Sequence, residues 1–166
     1  GKGLMTAAFV AQGISLGTTF ASLFLEQVQS INWVIQAHTI PFAPMGVHGF
    51  ALRFGGANRA QRLHWTGVGL LQAAAFSGLV AGVGFAAITS PFQSSGTDGF
   101  TPAAVGVPSV FVHFNASIAF LIAGGVCVGV AKAQARRQGK SQSRRTPAKS
   151  SRSALVIPTI APRPGG

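Results

Sequence analysis

The chain has 166 residues, of which 48% are hydrophobic and only 9% charged, and its net charge is +11. Globular domains usually carry about 25% charged residues, so a water-facing surface is hard to build from this sequence, and lipid or other protein is expected to cover most of it. Glu26 and Asp98 are the only acids, which excludes carboxylate-pair catalysis, and the one cysteine, Cys127, excludes an internal disulfide or a cysteine metal cluster.

A bilayer span takes about 20 mostly apolar residues, and four stretches reach that length. The first, Leu4 to Leu25, is uncharged, but Gln12, Thr18 and Thr19 make it the weakest. It is expected either to span or to lie along a partner. The second, Ile31 to Leu52, contains Asn32, Gln36, His38, His48 and two prolines, Pro41 and Pro44. The prolines predict a break, with regular helix from about Pro44 to Phe54. The third, Leu63 to Ser90, is the clearest span. Phe92 to Pro108 is rich in Ser, Gly, Thr and Pro and reads as irregular, with "GTDGF" as a turn. The fourth, Val107 to Ala131, stops at Lys132.

Nine of the thirteen Lys and Arg lie at or beyond Lys132, so most of the positive charge belongs to the tail. Alone, such a segment is expected to stay disordered. A basic tail on an apolar body is expected to meet a lipid surface or an acidic partner rather than nucleic acid. "SALVIPTIAP" is expected to dock as an extended segment. The predicted architecture is therefore an all-α, helical integral membrane protein with three or four transmembrane helices and a basic extended tail. Its parts are an N-terminal helical or extended segment (1–43), a transmembrane core (44–131) and the tail (132–166).

Glycines recur four apart at Gly13 and Gly17, Gly78 and Gly82, and Gly125 and Gly129. This spacing lets backbones approach closely. It serves ordinary helix packing, a flat cofactor or a neighbouring subunit. No serine-histidine-acid grouping, phosphate loop or metal motif is present.

Four histidines stand in these stretches. Alternating spans put His48 and His64 near one face, and His38 and His113 near the other. Polar groups at membrane depth are costly and tend to be functional. Three chemistries compete for them. Chlorophyll magnesium takes one imidazole nitrogen, bis-histidine haem takes two facing each other, and the third is hydrogen bonding between helices. A haem pair on each face would resemble the cytochrome b561 family, although that pattern draws its four ligands from four helices and here two lie in one stretch.

In order along the chain, "MGVHGFALRF", "AQRLHWTGVGLL", "ITSPFQSSG" and "FVHFNASIAFLIAGGVCVG" resemble successive segments of photosystem I reaction-centre subunit XI. The resemblance covers about residues 44 to 131. It implies a three-span, non-catalytic subunit of the chloroplast thylakoid membrane that binds chlorophyll a and carotenoid and contacts neighbouring photosystem I or antenna subunits. His48 falls on that family's chlorophyll-ligating histidine. The family's acidic ligand at the start of its second span has no counterpart here, and His64 is its nearest replacement. The implied magnesium ligands are thus His48 and His64. His113, early in the last span, is a third cofactor-binding candidate at a position where the family has no standard ligand. The Arg53–Arg62 loop and the tail share a face. The positive-inside rule makes that face cytoplasmic or stromal, whereas the resemblance implies the lumen. Two other functions stay open: a b561-like two-haem electron carrier, and a pigment-free accessory subunit.

Overall fold

The computed structural model describes residues 1–89 and 102–145, and these residues form five α-helices. They are α1 (Lys2–Ala21), α2 (Glu26–Thr39), α3 (Phe42–Phe54), α4 (Arg59–Ile88) and α5 (Pro102–Arg145). Three of them, α1, α4 and α5, are long and apolar enough to cross a membrane. The turn "GTDGF" and the segment "SALVIPTIAP" lie outside the described residues.

The second stretch divides as its prolines demand. Helix α2 ends at Thr39 and α3 starts at Phe42, with Pro41 at its N-cap. Pro44 sits in the first turn of α3, where a missing backbone N–H breaks no helical bond. Regular helix thus begins two residues earlier than the sequence predicts. Together α2 and α3 run back along α1. Thr18 and Thr19 of α1 bond to Asn32 of α2, Ala8 meets Gly46, Met5 meets Gly49, and Gly1 lies against Arg53. The two short helices therefore make one antiparallel return pass. With α4 and α5 the chain traverses the bundle four times, although only three single helices are long enough to span.

Glycines set how closely these passes approach. A Cβ on Gly67 would lie 2.9 Å from the Gly124 carbonyl, and one on Gly124 would lie 3.0 Å from the Gly67 carbonyl. A Cβ on Gly69 would meet the Val47 backbone at 2.9 Å. The pairs expected from spacing behave differently: Gly13, Gly17, Gly125 and Gly129 have open space where a Cβ would be. Only Gly78 of the predicted set packs within the chain, against Ser117.

Helix α5 corrects two expectations. It begins at Pro102, inside the stretch predicted to be irregular, and it does not stop at Lys132 but continues to Arg145. Pro102 suits a first helical position, where its fixed φ is already helical. Beyond Lys132, Ala, Gln, Lys and Arg dominate, and these residues lose little freedom in a helix. The tail is therefore helical through Arg145, and residues 146–166 lie outside the described set.

The ten described basic residues gather at one end of the bundle: at the start of α1, around the α3–α4 turn, and from Lys132 onward. The turn and the start of the basic segment touch, since Asn58, Gln61 and His64 share a cleft with Lys132 and Ala135. Glu26 opens α2 at the opposite end. The α3–α4 turn is short because Gly56 adopts φ 55° and the Asn58 side chain then caps α4, accepting from the Ala60 N–H at 2.9 Å. Asn58→Ala should lower stability by about 1 kcal/mol, seen as a lower melting temperature with unchanged helical content. No change in melting would mean that the cap is unimportant.

The distribution of side chains inverts that of a water-soluble domain. Buried positions hold mostly Ala, Gly and polar residues, with Trp33 and Val80 the larger apolar exceptions, while Phe9, Phe20, Phe24, Phe85, Phe111 and Leu121 are among many large apolar side chains that face outward. Small residues inside and bulky apolar ones outside is the pattern of helices that pack in an apolar solvent.

Candidate functional site

His48 sits on the outer face of α3, between Pro44 and Leu52, each four residues away, and all three are exposed. It has no hydrogen-bond partner among the described residues. Its neighbours Gly46 and Gly49 face the other way, into α1. An outward imidazole therefore stands on an apolar surface, about 7.5 Å along the helix from Arg53. A free ring nitrogen there can ligate a metal ion from outside the bundle.

His64 lies near the start of α4, half-buried, edge-on to Trp65 with ring centroids 5.6 Å apart. It lines an open cleft of about 320 Å³ between α4 and α5, with Asn58, Gln61 and Lys132. Phe50, Phe54 and Trp65 continue the aromatic cluster beside it, with Phe54 and Trp65 centroids 4.6 Å apart. His48 does not line this cleft. The α3–α4 contact pairs Val47 with Gly69 and Phe54 with Trp65, so His48 lies farther from the basic end than His64. The structure does not bring the two imidazoles onto one iron.

His113 differs from both. It is 3% exposed, and its Nε2 has no partner. It lines a small, partly enclosed cavity with Gln12, Thr39, Ala43, Phe76 and Ser77, and the exposed side chains of Ile40 and Val112 form its rim. Room there amounts to about 20 Å³, enough for one water molecule, which needs about 10–15 Å³, and far too little for a macrocycle. The expectation of a pigment on His113 does not fit this packing. It also lies at mid-height of the bundle, level with Gln12 and Phe76, rather than near an end. The side chain of His38 lies outside the described set, so the predicted partnership of His38 and His113 has no described geometry.

The main feature that sequence reasoning passed over is a buried polar knot. The hydroxyls of Thr18 and Thr19 both donate to Asn32 Oδ1 at 3.0 Å. Gln36 Nε2 donates to Thr19 Oγ1 at 2.6 Å, and Ser109 donates to Gln36 Oε1 at 2.6 Å. Asn32 and Thr19 are fully buried and Gln36 is 1% exposed. A signal was present. Gln12, Ser15, Thr19 and Ser22 recur at intervals of three and four, as do Asn32, Gln36 and Thr39, which places each set on one helical face. These residues stand out as weakening an apolar stretch, but they are one stripe facing another.

On the outside, α4 and α5 enclose an apolar groove of about 590 Å³ lined by Gly78, Ala81, Phe85, Val110, Phe111 and Phe114. Its size lies within the range of small-molecule sites, about 300–1,000 Å³. Among the described residues no group of three or more His, Cys, Asp or Glu could hold a metal ion. Comparison with family models, characterised proteins and solved structures finds no match to this chain.

Proposed function

We propose that the chain is an integral membrane, non-catalytic, pigment-binding subunit of a photosynthetic complex, in the manner of photosystem I subunit XI, with His48 as a chlorophyll ligand. The observation that carries this reading is His48 itself, an unpartnered imidazole facing outward from an otherwise apolar helix surface. At membrane depth a bare imidazole is costly, and an external magnesium ion would offset that cost. Chlorophyll bound there would supply light absorption and excitation transfer. The chain's part is to fix the ring's position: α3 holds His48 rigidly because Gly46 and Gly49 lock that helix against α1.

His64 is proposed as a second ligand at the basic end, in a cleft open enough to admit a ring edge. The apolar groove between α4 and α5 supports a carotenoid or other long apolar chain. The outward glycine pairs Gly13 with Gly17 and Gly125 with Gly129 support contact with neighbouring subunits, since the chain leaves them uncovered. Clustering of the basic residues at one end supports an orientation with that end cytoplasmic or stromal. This departs from the lumenal placement that the resemblance implies.

The test is a pigment count on the purified native complex. His48→Leu should remove one chlorophyll per chain and leave helical content and complex assembly unchanged. Unchanged pigment content would overturn the assignment, and a reducible haem α-band in place of chlorophyll absorption would overturn the function.

A further inference from the structure

Inside the bundle, buried polar side chains line a seam from the end opposite the basic residues to mid-height, and Ser15 Oγ and Asn32 Nδ2 within it have no hydrogen-bond partner among the described residues. Ser22 and Asn32 open it, Thr19, Gln36 and Ser15 follow, and Gln12, Thr39 and His113 close it. From Ser22 to Gln12 is ten residues of α1, or about 15 Å, half of a bilayer's hydrocarbon thickness of about 30 Å. Between this point and the basic end, the buried hydrophobic side chains among the described residues are all alanines: Ala8, Ala11, Ala43, Ala60, Ala73, Ala74 and Ala131. The seam therefore stops at mid-height on one side and runs toward the end opposite the basic residues on the other, where Ser22 is its outermost buried member.

Two buried atoms at its closed end lack partners. Gln12 accepts from Gln72 through Oε1 at 2.6 Å, but its Nε2 donates to nothing, and His113 Nε2 is likewise unpaired. Gln12 is 4% exposed and His113 3%. Both line the same cavity of about 20 Å³. Orphaned buried polar atoms are rare and call for a partner, and a buried water typically satisfies about three of them.

We propose that this cavity binds one water molecule between Gln12 and His113, and that the seam connects this water and His113 to protons from the end opposite the basic residues only. The Gln12 amide N–H donates to the water oxygen, and the water donates to the His113 Nε2 lone pair. Ser77 and Thr39 supply the remaining polar wall. When His113 is protonated, the water passes one proton to Nε2 and takes one from the seam side, so the water is restored and the imidazole gains one positive charge. From the elements packed against His113 the cavity takes Gln12, Thr39, Ile40, Ala43, Phe76 and Ser77, and from its own helix only apolar side chains; none of these titrates in the physiological range. The sidedness rests on the membrane reading; the water does not.

Two measurements on the full chain separate these parts. In detergent, with ¹⁵N-labelled histidine, the His113 ring should show a magnetisation-transfer peak from water. Gln12→Leu should abolish that peak while the backbone spectrum is retained. Ser77→Ala, a smaller change, should weaken it if the leucine variant does not fold. A wild-type ring without the water peak, or a peak unaffected by both substitutions, would overturn the proposal. In sealed vesicles, where resistance to alkaline extraction first establishes insertion, the His113 ring shift should follow pH changes made on the side opposite the basic residues. A response to the other side, or to neither, would overturn one-sided access. Extraction of the chain by alkali would instead refute the membrane reading and leave the detergent result standing.

Discussion

Gly67→Leu should lower stability by about 3 kcal/mol, the upper end of what overpacking usually costs, and should separate α4 from α5. The reason is what the new side chain would meet. A Cβ alone would stand 2.7 Å from a Val128 methyl, 2.9 Å from the Gly124 carbonyl and 3.0 Å from the Cys127 Cβ. A valine can rotate, but a backbone carbonyl in a helix cannot move without its helix. The strain therefore passes to the longest interface in the molecule. Because Gly124 meets the Gly67 carbonyl in return, Gly124→Leu should have a similar effect. Gly125→Ala is the control, since nothing lies within 4 Å of its Cβ position. Thermal melting in detergent checks all three. Equal melting of Gly67→Leu and wild type would show that the close crossing is unimportant for stability.

Gln36→Leu should cost about 2 kcal/mol. It keeps roughly the same volume, so the loss is in bonding rather than packing. Two hydrogen bonds go, those with Thr19 and Ser109. Side-chain bonds between helices in membranes average only about 0.6 kcal/mol each, which gives about 1.2 kcal/mol for the pair. The Ser109 hydroxyl, part-buried, is left without its acceptor, which adds about 1 kcal/mol, the low end for an orphaned polar group, and brings the total to about 2 kcal/mol. Thr19 is less affected because its one hydroxyl hydrogen still has an acceptor in reach, the Ser15 carbonyl or Asn32 Oδ1. The same melting assay checks this, and a variant as stable as wild type would show that α2 is held by packing alone.

Particular residues show how far the fold was legible in sequence. The break at Pro41 and the long α4 follow from local rules, since one depends on a missing N–H and the other on length and hydropathy. The continuation of α5 past Lys132 was not legible in the same way. A charge ends an apolar run, but it does not end a helix whose next residues are good helix formers. The glycine spacing signalled close packing without saying which glycines would be used. Gly67 and Gly124, which cross, were not among the predicted pairs, whereas Gly125 and Gly129, one residue along, face outward. Register between distant helices decides this, and no local pattern encodes it.

The candidate site divides along the same line. His48 stands out in its sequence neighbourhood, and its outward aim follows from the inward aim of Gly46 and Gly49. His113 reads in sequence like the other histidines, because the sequence shows an imidazole in an apolar span but not the neighbours that enclose it. Gln12 is 101 residues away from His113 in the chain, and only folding makes them share a cavity.

The helical form of the basic segment has a mechanical consequence. Lys132, Arg136 and Lys140 follow at intervals of four, with Arg144 next in the sequence, and such like-charged neighbours repel along a helix by about 0.2–0.5 kcal/mol per pair. Residues 132–145 therefore behave as a sprung rod. Low salt favours its uncoiling, while polyanions or added salt shorten and stiffen it. Its reach is about 20 Å when wound, at 1.5 Å per residue, and about 43 Å when fully drawn out, at 3.3 Å per residue. The length of this segment is thus expected to respond to ionic strength.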